Sequence, residues 1–433
     1  MSEFLGIGSD LPWWTWTLMV IGVTAIVGVV GALFFPDWST ADYEAGFDAD
    51  PGSKDFVEWT STLLNSPVFQ GVEVTLLQNG DAFLPAMLEA IRGAKDTINF
   101  EIYIFEPDTV GRQFMDAFKD RARAGVEVRL LLDAFGSMKL TRRYREELQE
   151  AGVRIERFRP FTLRNLVRIY RRTHRRAIVV DGRIGFTGGA AIAEKWKGNV
   201  TNRHEWRDSM TRVTGPLASG VQCAFAASWV YCTGEVIAGP RFFPTLEQKP
   251  GTCGLSVVSS PSDALQPIRL LFWVSFINAR QRLWLSNSYF IPDKRLRSAV
   301  IERARSGVDV RILVPGDQTD AVPVQSAGRS YYEELLSAGV RIFEYEPAMM
   351  HAKTVTIDGQ WSIVGSANLD ERSMEINEEN VLGIAEPAFA GSIEKGLTAD
   401  FARSREILLQ DWQQRSMLRR FMERVCKIFI EQY

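Results

Sequence analysis

A chain of 433 residues has room for two or three domains, and an apolar content of 46% is ordinary for a protein that folds around real cores. Its net charge of −3 gives no whole-protein argument for a nucleic-acid partner. Four cysteines without metal or redox spacing, and three histidines in all, argue against a disulfide framework and against a histidine-based metal cluster.

In chain order, Leu11 to Pro36 comes first and carries no charged side chain. At about 1.5 Å per residue, such a stretch crosses a hydrocarbon core of about 30 Å as one helix. Trp13, Trp14 and Trp16 at one end, and Phe34 and Phe35 at the other, suit the membrane interface. A cleaved signal peptide is the competing reading; the missing basic n-region and small-x-small site speak against it. No Lys or Arg precedes Lys54, so the positive-inside rule has nothing to count and orientation stays open. Residues 37–55, with Asp42, Glu44, Asp48 and Asp50, read as an acidic linker. A short helix from Phe56 to Leu64 opens the folded part.

From Val72 on, strands alternate with helices of moderate length. Strands fall at 72–77, 97–105 and 126–132, ending at Asp133, with a further one beginning at Val153. Helices fall at 81–93, 110–124 and 140–151. The order returns downstream, with strands at 254–259, 282–290, 308–314 and 340–345 and helices at 267–279, 296–306 and 330–338. This alternation predicts an α/β sheet with helices on both faces. Arg121-Ala122-Arg123-Ala124-Gly125-Val126 reappears as Arg303-Ala304-Arg305-Ser306-Gly307-Val308. Ala151-Gly152-Val153-Arg154-Ile155 reappears as Ala338-Gly339-Val340-Arg341-Ile342. The chain is therefore an internal duplication of roughly 180 residues per unit, far longer than a solenoid repeat. Two such units are expected to pack about a pseudo-two-fold axis.

Each unit carries the same chemistry-bearing stretch. His351-Ala352-Lys353 leads into the β-branched run Thr354 to Ile357 and a turn at Asp358-Gly359; Gly365-Ser366-Ala367-Asn368 follows. Upstream, His174-Arg175-Arg176 leads into Ala177 to Val180 and Asp181, and Gly188-Gly189 follows. A histidine and a cation two apart on an extended strand point to the same side, so each unit offers an imidazole and a fixed positive charge to one ligand.

The pattern H-x-K-x4-D with a following G-S-x-N resembles the HKD signature of the phospholipase D superfamily. The tract Gly188 to Trp196, then Glu205-Trp206-Arg207-Asp208 and Val213-Thr214-Gly215-Pro216, resembles the bacterial cardiolipin synthase branch. The resemblance covers about residues 70–415. It implies two phospholipase D-like αβα sandwich domains behind an N-terminal transmembrane helix. The division is an anchor at 1–36, a linker at 37–55, a first domain at 56–235, a linker at 236–252, a second domain at 253–410, and a basic amphipathic helix at 411–433.

Two histidines facing across a phosphate suit nucleophilic catalysis with acid–base help. The resemblance implies His174 as the nucleophile that forms a phosphohistidine, and His351 as the general acid and base. Lys353 and Arg176 would neutralise the phosphoryl oxygens, with Ser366 and Asn368 adding hydrogen bonds to them. No metal or other cofactor is then needed. Each histidine needs a carboxylate to fix its tautomer; family placement implies Asp208 for His174 and Glu379 for His351. Asp181 and Asp358 are expected to hold the motif turns. His204 reads as a surface loop residue. The first motif departs from the family twice, with Arg176 for the usual Lys and Ala191 for the usual Asn. Arginine keeps the charge but its planar fork needs more room than an ammonium.

The expected activity is transfer of a phosphatidyl group to phosphatidylglycerol by a single-pass protein of the bacterial inner membrane. Phospholipids and the membrane are the expected partners, and no nucleic acid. The alternatives are a phospholipase D that uses water, a phosphodiesterase acting on nucleic acid, against which the anchor argues, and a lipid-binding protein with a decayed first half. The tract holding Arg154, Arg157, Arg159, Arg164, Arg168, Arg171 and Arg172 interleaves with aromatic and aliphatic residues. It is expected either as a solvated basic loop or against an anionic membrane, with a nucleic-acid groove as the competing reading that the membrane span disfavours. Met417 to Phe429 is an amphipathic helix, read as interfacial or as packed on the enzyme body.

Overall fold

The computed structural model describes residues 12–34, 43–44, 46–162, 165, 168–247, 251–261, 263 and 265–430. The short strand β1 is Val68–Gln70. The first half then carries β2 (Glu73–Gln78), β3 (Thr97–Ile102), β4 (Glu127–Asp133), β5 (Arg154–Phe158), β6 (Ala177–Val180), β7 (Ile184–Gly188) and β8 (Ser209–Thr214). The second half carries β9 (Cys253–Ser259), β10 (Arg282–Ser286), β11 (Asp309–Pro315), β12 (Arg341–Tyr345), β13 (Thr354–Ile357), β14 (Trp361–Gly365), β15 (Glu379–Ala385) and β16 (Ser404–Ile407). The sheet orders are β2-β8-β7-β6-β3-β4-β5 and β1-β9-β15-β14-β13-β10-β11-β12-β16. Without the two edge strands β1 and β16, the second order matches the first strand for strand. In each sheet the crossover strands pair in parallel and the motif strand pairs antiparallel to the first of them.

The duplicated Ala-Gly-Val and Ser-Gly-Val turns explain why the predicted elements fall where they do. Gly125 and Gly307 close the helices Thr109–Arg123 and Lys294–Arg305 at φ +90° and +93°, a left-handed conformation that suits glycine, and the next strand starts two residues on. Asp108 and Asp293 cap the starts of the same helices, each carboxylate accepting from a backbone N–H. Asp181 and Asp358, expected to hold the motif turns, sit at those turns but reach beyond them. Both sit in left-handed backbone at φ 53° and 54°. The Asp181 carboxylate accepts the N–H groups of Lys95, Asp96 and Thr97, and that of Asp358 those of Arg280, Gln281 and Arg282. Each ties the end of its motif strand to the start of the central strand.

The strands alternate between two apolar layers. Ile178 and Val180 face one cluster, with Leu130, Leu132 and the outer helix residues Phe114 and Phe118. Ala177, Val179 and Leu131 face another, which also contains Leu313, Val364, Leu382 and Phe389 of the second half. One core therefore draws on both sheets. The helices Leu217–Thr233 and Pro387–Phe401 supply its filling, as Val221, Phe225, Ile393 and Leu397.

Three sequence expectations change here. A helix from Phe56 to Leu64 was expected to open the first domain; instead the helix, Lys54–Leu64, puts Phe56, Val57 and Leu64 into the core of the second half, and β1, which the sequence did not suggest, pairs with β9. Residues 37–55 were expected as a free linker; of those described, Ala49 donates its N–H to Asn278 Oδ1 and the Tyr43 ring meets Trp273 edge-on. In the basic tract, Arg159 and Arg172 are buried on Glu378 and Asp133, and Arg154 pairs with Glu235, so these cations serve the fold. Leu163, Arg164, Leu166 and Val167 lie outside the described residues.

The stretch read as a span forms the helix Trp13–Phe34. Its two ends, Leu11 with residues 35–36, lie outside the described residues, as do residues 37–42 of the linker. Among the residues described together with their side chains, which in this helix stop at Ala25, no helix is long and apolar enough to cross a membrane. The helix Met417–Ile430 packs along the helix Val322–Arg329. Its Met417, Leu418, Phe421 and Met422 stay exposed.

Docking of the leading segment gives a stability test. Phe56 is fully buried and meets Trp361 edge-on at 5.3 Å. Phe56→Ala should cost about 3–5 kcal/mol in denaturant unfolding. A cost within about 0.5 kcal/mol would mean that the segment is not part of the second core.

Candidate active site

The two motif histidines meet at the seam between the halves, and the backbone there is pseudo-symmetric. His174 N–H donates to Glu378 O at 2.8 Å, and Glu378 N–H returns a bond to Arg172 O at 2.9 Å. Across the axis, His351 N–H donates to Arg207 O at 2.7 Å, and Arg207 N–H to Met349 O at 2.9 Å. Each motif is thereby stitched to the residue just ahead of a carboxylate in the other half, Glu378 before Glu379 and Arg207 before Asp208.

The carboxylates follow that stitching, and this corrects the pairing implied by family placement. His174 Nδ1 lies 2.9 Å from Glu379 Oε1, and His351 Nδ1 lies 2.7 Å from Asp208 Oδ2. The reason is geometric. Glu379 opens β15, whose neighbour Glu378 bridges to Thr173; Asp208 precedes β8, and its neighbour Arg207 bridges to Met350. Chain order places a carboxylate downstream of each histidine in its own half, but the fold presents it to the opposite one. Gly189 shows how tight the seam is. A Cβ there would stand 2.3 Å from Asp208 Oδ1 and 2.9 Å from His351 O, so only glycine fits.

All four groups are buried, Glu379 and Asp208 completely. An ionised carboxylate only accepts, so each histidine carries its proton on Nδ1 and presents Nε2 as a lone pair. Burial opposes ionisation of Asp208 and Glu379, but His351 and His174 outweigh it and hold both carboxyls below their ordinary range. Burial and Arg176 pull His174 down to about 3; burial and Lys353 pull His351 down to about 4. Both imidazoles are therefore neutral at pH 7 until a ligand supplies negative charge.

The cations sit beside them. The strand proper starts at Thr354, so His351 to Lys353 form its irregular lead-in rather than strand. Lys353 Nζ donates to His351 O at 2.7 Å and to Ser288 Oγ at 2.8 Å, and lies 3.5 Å from His351 Nε2. Burial brings its pKa down to about 8. Arg176 is fully buried and donates from Nη1 to His174 O, the bond that Lys353 makes to His351 O in the other half. The guanidinium therefore fits where the family has an ammonium. Ala191, the second departure, lies in the apolar cluster with Ile192 and Phe105.

Ser366 corrects a further expectation. Its hydroxyl donates to Glu379 and accepts from Asn380 N–H, so it orients the carboxylate instead of facing a phosphoryl group. Asn368 donates its N–H to Ser373 Oγ, and its buried Oδ1 has no partner among the described residues. His204 is exposed on a loop, as predicted.

Sequence reasoning missed several residues at this seam. Ser373 donates to Glu379 at 2.8 Å from the wide helical turn Arg372–Ile376. Asn380 bridges the halves, accepting from Arg176 N–H at 3.0 Å and donating to Thr187 Oγ1 at 2.9 Å. Tyr103 packs edge-on against His174 at 5.2 Å. Only Asn380 had a signal, since it adjoins the acid Glu379.

Comparison with known proteins agrees with this architecture. Residues 87–205 and 274–401 match the family described as cardiolipin synthase, phospholipase D-like domain, one match per half. The chain is 34% identical to cardiolipin synthase A of Pseudomonas fluorescens (strain SBW25), over 84% of this chain and 75% of that one. It is 33% identical to cardiolipin synthase 1 of Bacillus anthracis, over 84% of this chain and 73% of that one. The fold is shared with the phosphatidylserine synthase of Haemophilus influenzae Rd KW20, at a TM-score of 0.68 and 15% identity, over 87% of this chain and 99% of that one. The chain thus belongs to the cardiolipin synthase family of phospholipase D-like proteins.

Proposed function

We propose that the protein is a phosphatidyltransferase that makes cardiolipin from phosphatidylglycerol. The observation that carries this is the pair of crossed acid–imidazole contacts, His174 with Glu379 and His351 with Asp208, on one seam with Lys353 and Arg176. His174 Nε2 attacks phosphorus, a P–N bond forms, and the P–O bond to the headgroup alcohol breaks. His351 donates a proton to that leaving oxygen. The bound phosphodiester supplies the negative charge that raises His351 from about 4 and lets it carry this proton. In the second step His351 takes the proton of the incoming hydroxyl, whose oxygen displaces His174. Glycerol leaves when both lipids are phosphatidylglycerol. Lys353 and Arg176 balance the phosphoryl charge, Asp208, Glu379 and Ser366 hold the imidazoles in register, and Asn368 supports the phosphoryl oxygens.

The helix Trp13–Phe34 is the anchor in this reading, a single pass through the bacterial inner membrane, with Trp14 and Trp16 at its interface. The chain then divides as an anchor, a docked leader, two phospholipase D-like domains and a basic C-terminal helix.

Purified protein in vesicles of phosphatidylglycerol tests the activity, with lipid products read by mass spectrometry. Cardiolipin with one glycerol released per molecule is expected. Phosphatidic acid alone would make the protein a hydrolase.

The pH profile gives a second test. Lys353 loses its charge as pH rises through about 8, so kcat/KM should fall above that pH with a slope of one proton. Lys353→Arg should move this limb upward by more than one unit, because guanidinium stays charged. A limb unmoved in Lys353→Arg would assign it to another group.

A further inference from the structure

The wall on the His351 side is aromatic and carries a cation that the mechanism above does not use. The Trp206 and Trp196 rings lie 5.2 and 5.5 Å from His351. The Lys195 ammonium sits over both, 3.9 Å from the Trp206 centroid and 4.7 Å from that of Trp196. Trp196 is fixed by its Nε1–H, which donates to Asp208 at 2.8 Å, and Trp206 N–H donates to Lys195 O at 2.7 Å. These contacts make the ammonium a fixed part of the wall.

Lys195 opens on a cleft of about 820 Å³, lined also by Trp206, Arg203, Met349 and Asp320. The acids around this cleft have partners of their own. Asp320 accepts from Tyr289, Glu205 from Thr201 and Asn202, Asp81 from Asn199, and Glu194 pairs with Lys197. Asp320 and Glu106 act on the Lys195 charge through space, but no carboxylate of the described residues reaches its ammonium at hydrogen-bonding distance. A lysine that rests on indole faces rather than on a carboxylate keeps its donors for an incoming anion. Burial also lowers its pKa, an effect that such an anion reverses.

The location decides which anion. His351 handles the alcohol in both steps, so a cleft beside it receives the alcohol and what is attached to it. Water and simple alcohols carry no second charge. Phosphatidylglycerol does: its own phosphodiester sits one glycerol unit from the reacting hydroxyl. We propose that Lys195 and its cleft form an anion subsite for the phosphodiester of the acceptor lipid, making the enzyme select a phosphorylated alcohol over water. This rests on the phosphatidyltransferase reading given above.

The test lets two acceptors compete in one tube. Vesicles of phosphatidylcholine with graded phosphatidylglycerol receive dissolved ethanol, and cardiolipin and phosphatidylethanol are measured together. Lys195→Gln should lower the ratio of cardiolipin to phosphatidylethanol by about 10–100-fold, the worth of one charge-assisted hydrogen bond. Lys195→Arg should restore most of it. Phosphatidylethanol formation reports that the variant is folded and that its donor chemistry is intact. An unchanged ratio, or equal loss of both products, overturns the subsite. If the unmodified protein makes phosphatidylethanol but no cardiolipin, the reading that phosphatidylglycerol is the acceptor falls instead, while phosphatidyl transfer stands. Glycerol 3-phosphate competing against ethanol then decides Lys195: competition lost in Lys195→Gln supports the subsite, and equal competition sinks it.

Discussion

His174→Ala should abolish cardiolipin formation and any hydrolysis together, by on the order of 10⁴-fold or more. The fold should survive, because the bond that stitches this segment to Glu378 comes from the backbone N–H and not from the imidazole. His351→Ala should also be inactive on natural lipids, for a different reason: the leaving alkoxide has no proton donor. The two are separated by a phosphodiester with a nitrophenol leaving group, which departs without a proton. His351→Ala should release a burst of nitrophenol with it and His174→Ala none. The reverse pattern would exchange the roles of the two histidines, and full activity in His174→Ala would remove the covalent intermediate altogether.

Glu379→Gln is the second large effect, expected at on the order of 10²–10⁴-fold in kcat. A glutamine can present its NH₂ to His174 Nδ1, favouring the tautomer whose proton sits on Nε2 and blocks attack. The crossed pairing makes a sharper claim through a double-substitution cycle. Glu379→Gln should add almost nothing to His174→Ala, since it acts through that imidazole, and should multiply the loss caused by Asp208→Asn, which acts through His351. If the acids served the histidines of their own halves, Glu379→Gln would instead be silent in His351→Ala. Melting temperatures of all variants exclude collapse of the seam as the cause.

The duplication, the strand and helix order and the chemistry-bearing residues were legible because they are local. Period-two and helical patterns, glycine turns and the His-x-cation-x4-Asp spacing each lie within a few residues of sequence. That Asp181 and Asp358 sit at turns was legible for the same reason, since aspartate tolerates left-handed backbone; the N–H groups their carboxylates accept lie at the start of another strand, far upstream in sequence, and were not. What the sequence did not disclose is non-local. The acids changed partners because two seven-strand cores face each other across a pseudo-axis, which no spacing encodes. Val68 joined the far sheet because β9 had an open edge, and the helix carrying Phe56 packed into the same core, a fact of topology rather than of propensity. Ser366 had the composition of a phosphate contact, but burial turned it to Glu379. Arg159 and Arg172 of the basic tract had the pattern of surface charge and are internal counter-ions.

The crossed contacts also bear on how such a chain can diverge. Neither half owns a complete acid–imidazole pair: the first lends Asp208 to the second and borrows Glu379 from it. A lesion in one copy's carboxylate is felt by the other copy's histidine, so relaxed selection on either copy is closed off while the activity is needed. The halves can drift in what surrounds the seam, as Arg176 and Ala191 show, but they are inherited as one unit. A solitary half could work only by meeting its own likeness.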